Sequence, residues 1–203
     1  MKKVLMTLLC AALIISAFVL SVSAESFAHT VVKGDSMWKI AVKYRVGLSE
    51  LTAANPNIKN PSLIYPGDVI VIPEKDAAAA AYEREVIRLV NEHRRKNGLG
   101  ELSEDWQLSR VARYKSQDMR DRKYFSHTSP TYGSPFQMIK SFGISYKAAG
   151  ENIAKGQKTP KAVVDGWMNS SGHRANILNP KFTHIGVGYV ADGNLWTQMF
   201  ISK

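Results

Sequence analysis

The chain reads as an α+β protein in two parts, and three observations predict it. Glu74-Lys75-Asp76 followed by five alanines at 77–81 separates a short, turn-rich segment from a longer one with strong helical patterning. The short segment runs strand, helix, helix, strand. The long segment opens with helices and ends on a hairpin pattern, which argues for layered helices and sheet rather than alternating β-α-β units.

Residues 1–24 form a secretory signal: Lys2 and Lys3 make a basic start, residues 4–20 an apolar run, and Val22-Ser23-Ala24 a small-residue cleavage site. The apolar run approaches the length of a membrane span, so cleavage decides between export and anchoring. No second run of that length follows, so no stable membrane span is expected after cleavage.

In the short part, strand character covers His29-Thr30-Val31-Val32. Lys33-Gly34-Asp35-Ser36 is a turn whose Asp35 or Ser36 caps a helix through Tyr44. Ser49 is expected to cap a second helix that stops near Asn55-Pro56. Asn60-Pro61 and Pro66-Gly67-Asp68 mark turns, after which Val69-Ile70-Val71-Ile72 is a strand closed by Pro73. Trp38 reads as core, and Gly34 and Gly67 permit tight turns. The alanine run favours helix, so the 74–82 linker is expected to extend the next helix semi-rigidly.

In the long part, residues 83–203, Val86, Ile87, Leu89, Val90 and His93 lie on one helical face that ends near Asn97-Gly98. A second helix follows Ser103, with Leu108, Val111, Ala112, Lys115 and Met119 at helical spacing and Lys115 expected to snorkel. Thr159-Pro160 starts a third, through Ala162, Val163, Gly166 and Trp167. Two strand-like runs, 184–190 and 195–201, flank Asp192-Gly193, a tight-turn signal.

The formal charge is +10, two units of which leave with the signal. An exported basic chain suits an anionic wall, spore layer or membrane surface, not nucleic acid, although lysines also serve solubility. Cys10, the single cysteine, lies inside the signal, so disulfides and cysteine catalysis are excluded from the mature chain.

The run Thr30-Val31-Val32-Lys33-Gly34-Asp35-Ser36-Met37-Trp38-Lys39-Ile40-Ala41, Asn55-Pro56-Asn57, and Ile64-Tyr65-Pro66-Gly67-Asp68-Val69-Ile70-Val71-Ile72-Pro73 resembles a LysM domain over residues 28–73. The resemblance implies binding of N-acetylglucosamine polymers such as peptidoglycan through Gly34, Asp35, Ser36 and Met37 and through Ile64, Tyr65 and Pro66. Backbone groups of two facing loops would bond N-acetyl groups, with Met37 or Tyr65 giving apolar contact.

Residues 83–203 resemble the CAP superfamily of secreted proteins, whose domain is an α-β-α sandwich. The carrying residues are Val90-Asn91-Glu92-His93-Arg94, Phe125-Ser126-His127, Gly150-Glu151-Asn152-Ile153-Ala154, Trp167, Ser171-Gly172-His173-Arg174-Ala175-Asn176-Ile177-Leu178, His184-Ile185-Gly186-Val187-Gly188 and Trp196-Thr197-Gln198. Many members carry a cleft tetrad of two histidines and two glutamates, some with a divalent metal on the histidines. By resemblance His127, Glu151 and His173 are three of the four, with His127 and His173 as metal ligands for an ion such as zinc. Ser170 stands where the second glutamate is expected.

That gap weakens hydrolysis, because two imidazoles and one carboxylate lack an orienting partner. Three readings of His127, Glu151 and His173 stay open: a brace between loops, a ligand site, or a catalyst. His173 is also placed to cap the helix that follows it, and Ser126 and Ser170 to donate hydrogen bonds. The chain is expected to be a secreted Gram-positive wall or spore-surface protein that docks through LysM, requires no cofactor and presents its CAP cleft to an unknown ligand or a protein partner. A metal-dependent hydrolase and a structural spore coat or cortex component are the alternatives.

Overall fold

In the computed structural model, residues 27–74 and 76–203 are described; the expected signal lies outside them. Strand β1 (Ala28–Thr30) pairs antiparallel with β2 (Val69–Val71), and between them run α1 (Met37–Tyr44) and α2 (Leu48–Ala53). This is the expected βααβ order. Ser36 caps α1 by accepting from Lys39 N–H. The cap of α2 is Gly47, not Ser49. Ser49 instead donates to Glu50 and accepts from Arg110 of the second domain. Val31, Met37, Ile40, Leu51 and Ile70 form the small core. Asn55 closes it, its buried amide bonded to Leu51 and Val71 backbone groups. Met37 is therefore core, while Trp38, expected inside, is 61 % exposed on the outer face of α1.

The alanine run is the first turn and more of α3 (Ala77–Lys96), capped by Asp76. After a two-residue strand β3 (Ser103–Glu104), Asp105 rather than Ser103 caps α4 (Trp106–Asp121). Helix α5 (Pro135–Ser141) follows, with a capping box between Ser134 and Gln137. Strand β4 (Ala148–Lys155), α6 (Pro160–Asn169), α7 (Ser171–Ile177), β5 (His184–Val190) and β6 (Leu195–Ser202) complete the order. The hairpin forms in the expected register, Val190 opposite Leu195. Its connection is a four-residue loop, not a two-residue turn, because Asn194 joins Gly193 in the left-handed region.

The sheet order is β3-β5-β6-β4, with β3 parallel to β5 and the other pairs antiparallel. Alternation sorts the strands between two helical layers. Ile185, Val187, Trp196 and Phe200 pack with α3 and α6, while Met199 and Ile201 pack with α4 and α5. The sheet is thus buried on both faces, the middle layer of an α-β-α sandwich.

On the α4 side β5 presents Gly186 and Gly188. A Cβ at Gly186 would lie 2.3 Å from the Leu108 carbonyl carbon and the Ser109 nitrogen; one at Gly188 would lie 2.1 Å from Arg113 N. The α4 backbone rests directly on the strand. Ser109 bonds Val187 N–H, and Ser116 bonds both Gly188 C=O and Thr197. A methyl at Gly188 has no room against helix backbone, which cannot rotate away as a side chain can. Gly188→Ala is expected to cost more than about 4 kcal/mol in chemical denaturation, whereas Gly100→Ala, with nothing within 4 Å of the added carbon, leaves stability nearly unchanged.

Candidate functional site

Helix α4 also mounts the loop that carries His127. Lys115, 0 % exposed, does not snorkel as its place in the apolar stripe suggested. Its ammonium donates to the Ser126 and His127 carbonyls at 2.7 and 2.9 Å and to Tyr124 Oη at 3.1 Å. One turn on, Asp118 accepts from Tyr124, Ser129 and Thr131 hydroxyls. Two charged side chains of one helix face thereby fix residues 124–131 from below. Burial pushes the Lys115 amine down, and the nearby Glu151 and Asp118 charges oppose that.

The loop delivers His127 to β4, the edge strand. His127 Nδ1 and Glu151 Oε1 are 2.7 Å apart, the imidazole about half exposed and the carboxylate buried. Glu151 Oε2 is buried with no partner among the described residues. It is an acceptor held in reserve at the edge of an open ring.

From the opposite helical layer α7 reaches the same strand. Asn176 donates to Glu151 C=O and to Asn152 Oδ1, and Asn152 donates to His173 C=O and to Gln198 Oε1. These amides pin α7 over β4 along its length, and His173 lies within electrostatic reach of His127. His173 is the third residue of α7, not its cap; that place belongs to Ser170, whose side chain makes no capping bond. Ser126 Oγ accepts from Thr128 N–H. Neither serine bonds His127 or Glu151.

The three groups have separated proton affinities. The bond to Glu151 holds His127 above the ordinary imidazole range against the pull of burial. Burial pushes the Glu151 carboxyl up, opposed by His127 and Lys115. Burial, and then the His127 charge, push His173 down. Of the two imidazoles His127 thus holds a proton more readily than His173, which suits a donor and an acceptor in one site. Among the described residues no group of three or more His, Cys, Asp or Glu side chains is arranged to hold a metal. His127 and His173 alone fall short of the four ligands of a closed zinc site, so no step is assigned to an ion.

A second cleft, of about 390 Å³, opens between the two domains, away from His127 and Glu151. Arg110 crosses it, its guanidinium forked on Glu50 at 2.6 and 2.8 Å and stacked over Tyr114 and Phe142. Arg45, Arg113 and Arg120 alternate there with Glu74, Asp76 and Asp192, so neither sign of charge prevails.

An α-β-α sandwich with a His–Glu pair at its sheet edge, preceded by a βααβ module, defines a CAP domain behind a LysM domain. The chain belongs to the cysteine-rich secretory protein (CAP) family, which residues 87–201 match, and residues 29–73 match the LysM domain. It is 66 % identical over 127 residues to the uncharacterized protein YkwD of Bacillus subtilis (strain 168), a match over 63 % of this chain and 49 % of that one. An extracellular protein containing an SCP domain from Bacillus anthracis str. Ames superposes with a TM-score of 0.60 at 34 % identity, over 68 % of this chain and 47 % of that one. SpoIVD-associated factor A of Bacillus subtilis is 49 % identical over 47 residues, 23 % of this chain and 12 % of that protein. The chain thus spans about half or less of the length of these relatives.

Two measurements check the site. In proton NMR His127 is expected to titrate at higher pH than His173, and Glu151→Gln to lower the His127 value; rings that titrate together would contradict the pairing. The sign follows from a raised imidazole value: the His127–Glu151 stabilisation is complete below the ordinary imidazole range and is lost as pH rises through the raised value. Lys115→Met, which leaves two buried-side carbonyls without their donor, is expected to cost about 1–3 kcal/mol in denaturation and to loosen the His127 loop.

Proposed function

We propose that this is an exported protein that docks on N-acetylglucosamine polymer of the cell wall or spore surface through its LysM domain. The CAP cleft then faces a second ligand, a protein partner. The observation that carries the docking half is the pairing of two loops: Val31 N–H donates to Asp68 C=O at 2.8 Å and Gly67 N–H to Val31 C=O at 2.9 Å. Beside this pairing Gly34, Pro66 and Tyr65 are exposed and Ile64 half-buried. Backbone groups at such loops suit N-acetyl recognition, and the Tyr65 ring supplies an apolar face. Trp38, the residue after the buried Met37, takes over the apolar contact that Met37 cannot give.

No helix among the described residues is long and apolar enough to cross a membrane; the proposed retention is through the glycan and the basic charge. A single module gives modest affinity, which the charge supplements. The spore coat assembly printed in the name of ExsA of Bacillus cereus, 49 % identical over 47 residues, supports including a spore layer beside the cell wall as the location.

A hydrolase acting through His127, Glu151 and His173 is the second reading, favoured by the Glu151 Oε2 without a partner among the described residues and by two imidazoles of unlike proton affinity. Turnover of wall peptide by the wild type, lost in His127→Ala and Glu151→Ala, would support it; equal activity in all three would remove it.

Docking is checked by sedimentation with purified peptidoglycan. The mature chain is expected in the pellet at low and moderate salt, and Tyr65→Ala and Trp38→Ala to weaken binding several-fold each, about 1 kcal/mol. A wild-type chain that stays in the supernatant overturns the reading.

A further inference from the structure

The first glycan loop is held by a relay that starts on the strand behind it. His29 of β1 is 8 % exposed. Its Nδ1 lies 3.0 Å from Tyr44 Oη at the end of α1, and its Nε2 lies 2.8 Å from Asp35 Oδ2 in the loop. The same Asp35 oxygen accepts from Val32 N–H at 2.9 Å, and Asp35 N–H donates to Val32 C=O at 3.1 Å. One arrangement satisfies every group: the tyrosine hydroxyl donates to Nδ1, Nε2–H donates to the carboxylate, and Val32 N–H donates to it from the other side. The Tyr44 ring meets the imidazole edge-on at 5.6 Å, so the ring plane is set by packing as well.

Strand and loop are therefore stapled at one carboxylate oxygen, and the helix joins them through the other nitrogen of the imidazole. Between the two stapled residues the chain turns through Gly34, whose φ of 94° leaves its carbonyl to accept from Lys39 Nζ at 2.6 Å. The backbone bonds and the Val32 and His29 contacts also hold the Asp35 carboxyl below its ordinary range. Both donors sit on Oδ2, so that oxygen of a side chain only 19 % exposed is committed to the loop.

We infer that His29 is a positioning residue for glycan recognition and that Asp35 acts through the same staple rather than by touching the sugar. This inference rests on the glycan-binding reading of the two loops. It assigns a role to a residue outside both loops. It also removes Asp35 from the set that faces the ligand, leaving backbone groups of 33–36 and the second loop to make the contacts. A shared mechanism for two residues has a thermodynamic signature, because their deletions must fail to add.

The test is a double-mutant cycle on the full chain. His29→Phe keeps the ring volume and the Tyr44 contact but removes both nitrogens, and Asp35→Ala removes the acceptor. Binding to insoluble chitin and to purified peptidoglycan is measured for each and for the pair, with the thermal midpoint as a control for folding. Each single change is expected to weaken binding about tenfold, and the double variant to be no weaker than the weaker single. His29→Gln, which can still donate to Asp35, is expected to recover most of the loss. Losses that add, with Asp35→Ala clearly the larger, would make Asp35 a sugar contact and overturn the inference; unchanged binding in His29→Phe would do the same. Solvent exchange of the Val32 amide, measured without glycan, separates the two levels. If the wild type binds neither polymer the docking reading fails, and the staple is then judged by that exchange alone. A rise of tenfold or more in His29→Phe upholds the staple, and an unchanged rate removes it.

Discussion

The seat of α4 on β5 is the constraint from which the rest of the molecule is positioned. Two glycines two residues apart let helix backbone meet strand backbone with no side chain between them. Glycine in a strand interior is unfavourable by itself. Here it sets the depth and rotation of a sixteen-residue helix from which five polar side chains work at a distance. Arg113 reaches back to the buried Glu83 of α3, which also accepts from Tyr189 N–H. Ser116 tethers the sheet, Lys115 and Asp118 hold the His127 loop, and Arg110 reaches the neighbouring domain. A shift of α4 by one rotamer's width would move all of them together.

Buried charge in this protein is almost everywhere completed. Arg94 of α3 spends its guanidinium on the carbonyls of Gly100, Ile177, Asn179 and Phe182, tying the end of α7 to the α3–β3 turn. Lys115 and Glu83 are likewise fully engaged. Removing one partner of such a group leaves an uncompensated charge, so these networks define the arrangement more than they stabilise it. Against that background three buried polar atoms without a partner among the described residues stand out, Glu151 Oε2, Gln157 Oε1 and Gln198 Nε2; Glu151 and Gln198 lie on adjoining strands β4 and β6 but on opposite faces of the sheet. Unsatisfied polar atoms concentrate where a ligand or solvent can supply the missing partner.

Much of this was legible in the sequence, and the exceptions share a cause. Helices with a clean apolar stripe and a Ser, Thr or Asp before them were readable, as was the terminal hairpin, since local propensity and burial agree there. Strand β4 was not. Its residues Ala148-Ala149-Gly150-Glu151-Asn152 carry no alternation, because helices cover both faces and Gly150 must let Phe182 and Asn176 approach. Helix α5 is short, yet its Ser134-Pro135-Phe136-Gln137 start was a capping signal that could have been read. Lys115 and Trp38 misled in opposite directions: a lysine in an apolar stripe is buried when carbonyls await it, and a tryptophan at helical spacing is exposed when its neighbour Met37 takes the core. At the cleft, His127, Glu151 and His173 were identifiable as residue types. Their mounting by Lys115, Asp118, Asn152 and Asn176 was not, because it depends on contacts between elements far apart in the chain.

The two ends of α1 face different tasks. Its N-terminus carries the 33–36 loop, and its C-terminus leads through Arg45 and Gly47 to the Glu50 that Arg110 grips. Eight residues of helix separate them, about 12 Å. Under the proposed docking, a tether to a rigid polymer at the first end and a second domain clasped at the other would form a mechanical series. Tension on the CAP domain is then divided between the covalent passage through residues 72–76 and the Arg110–Glu50 fork. The covalent passage bears load at any ionic strength. The fork, partly exposed to solvent, softens as salt rises, so the stiffness with which the CAP domain is presented would vary with the ionic surroundings while the attachment itself would not.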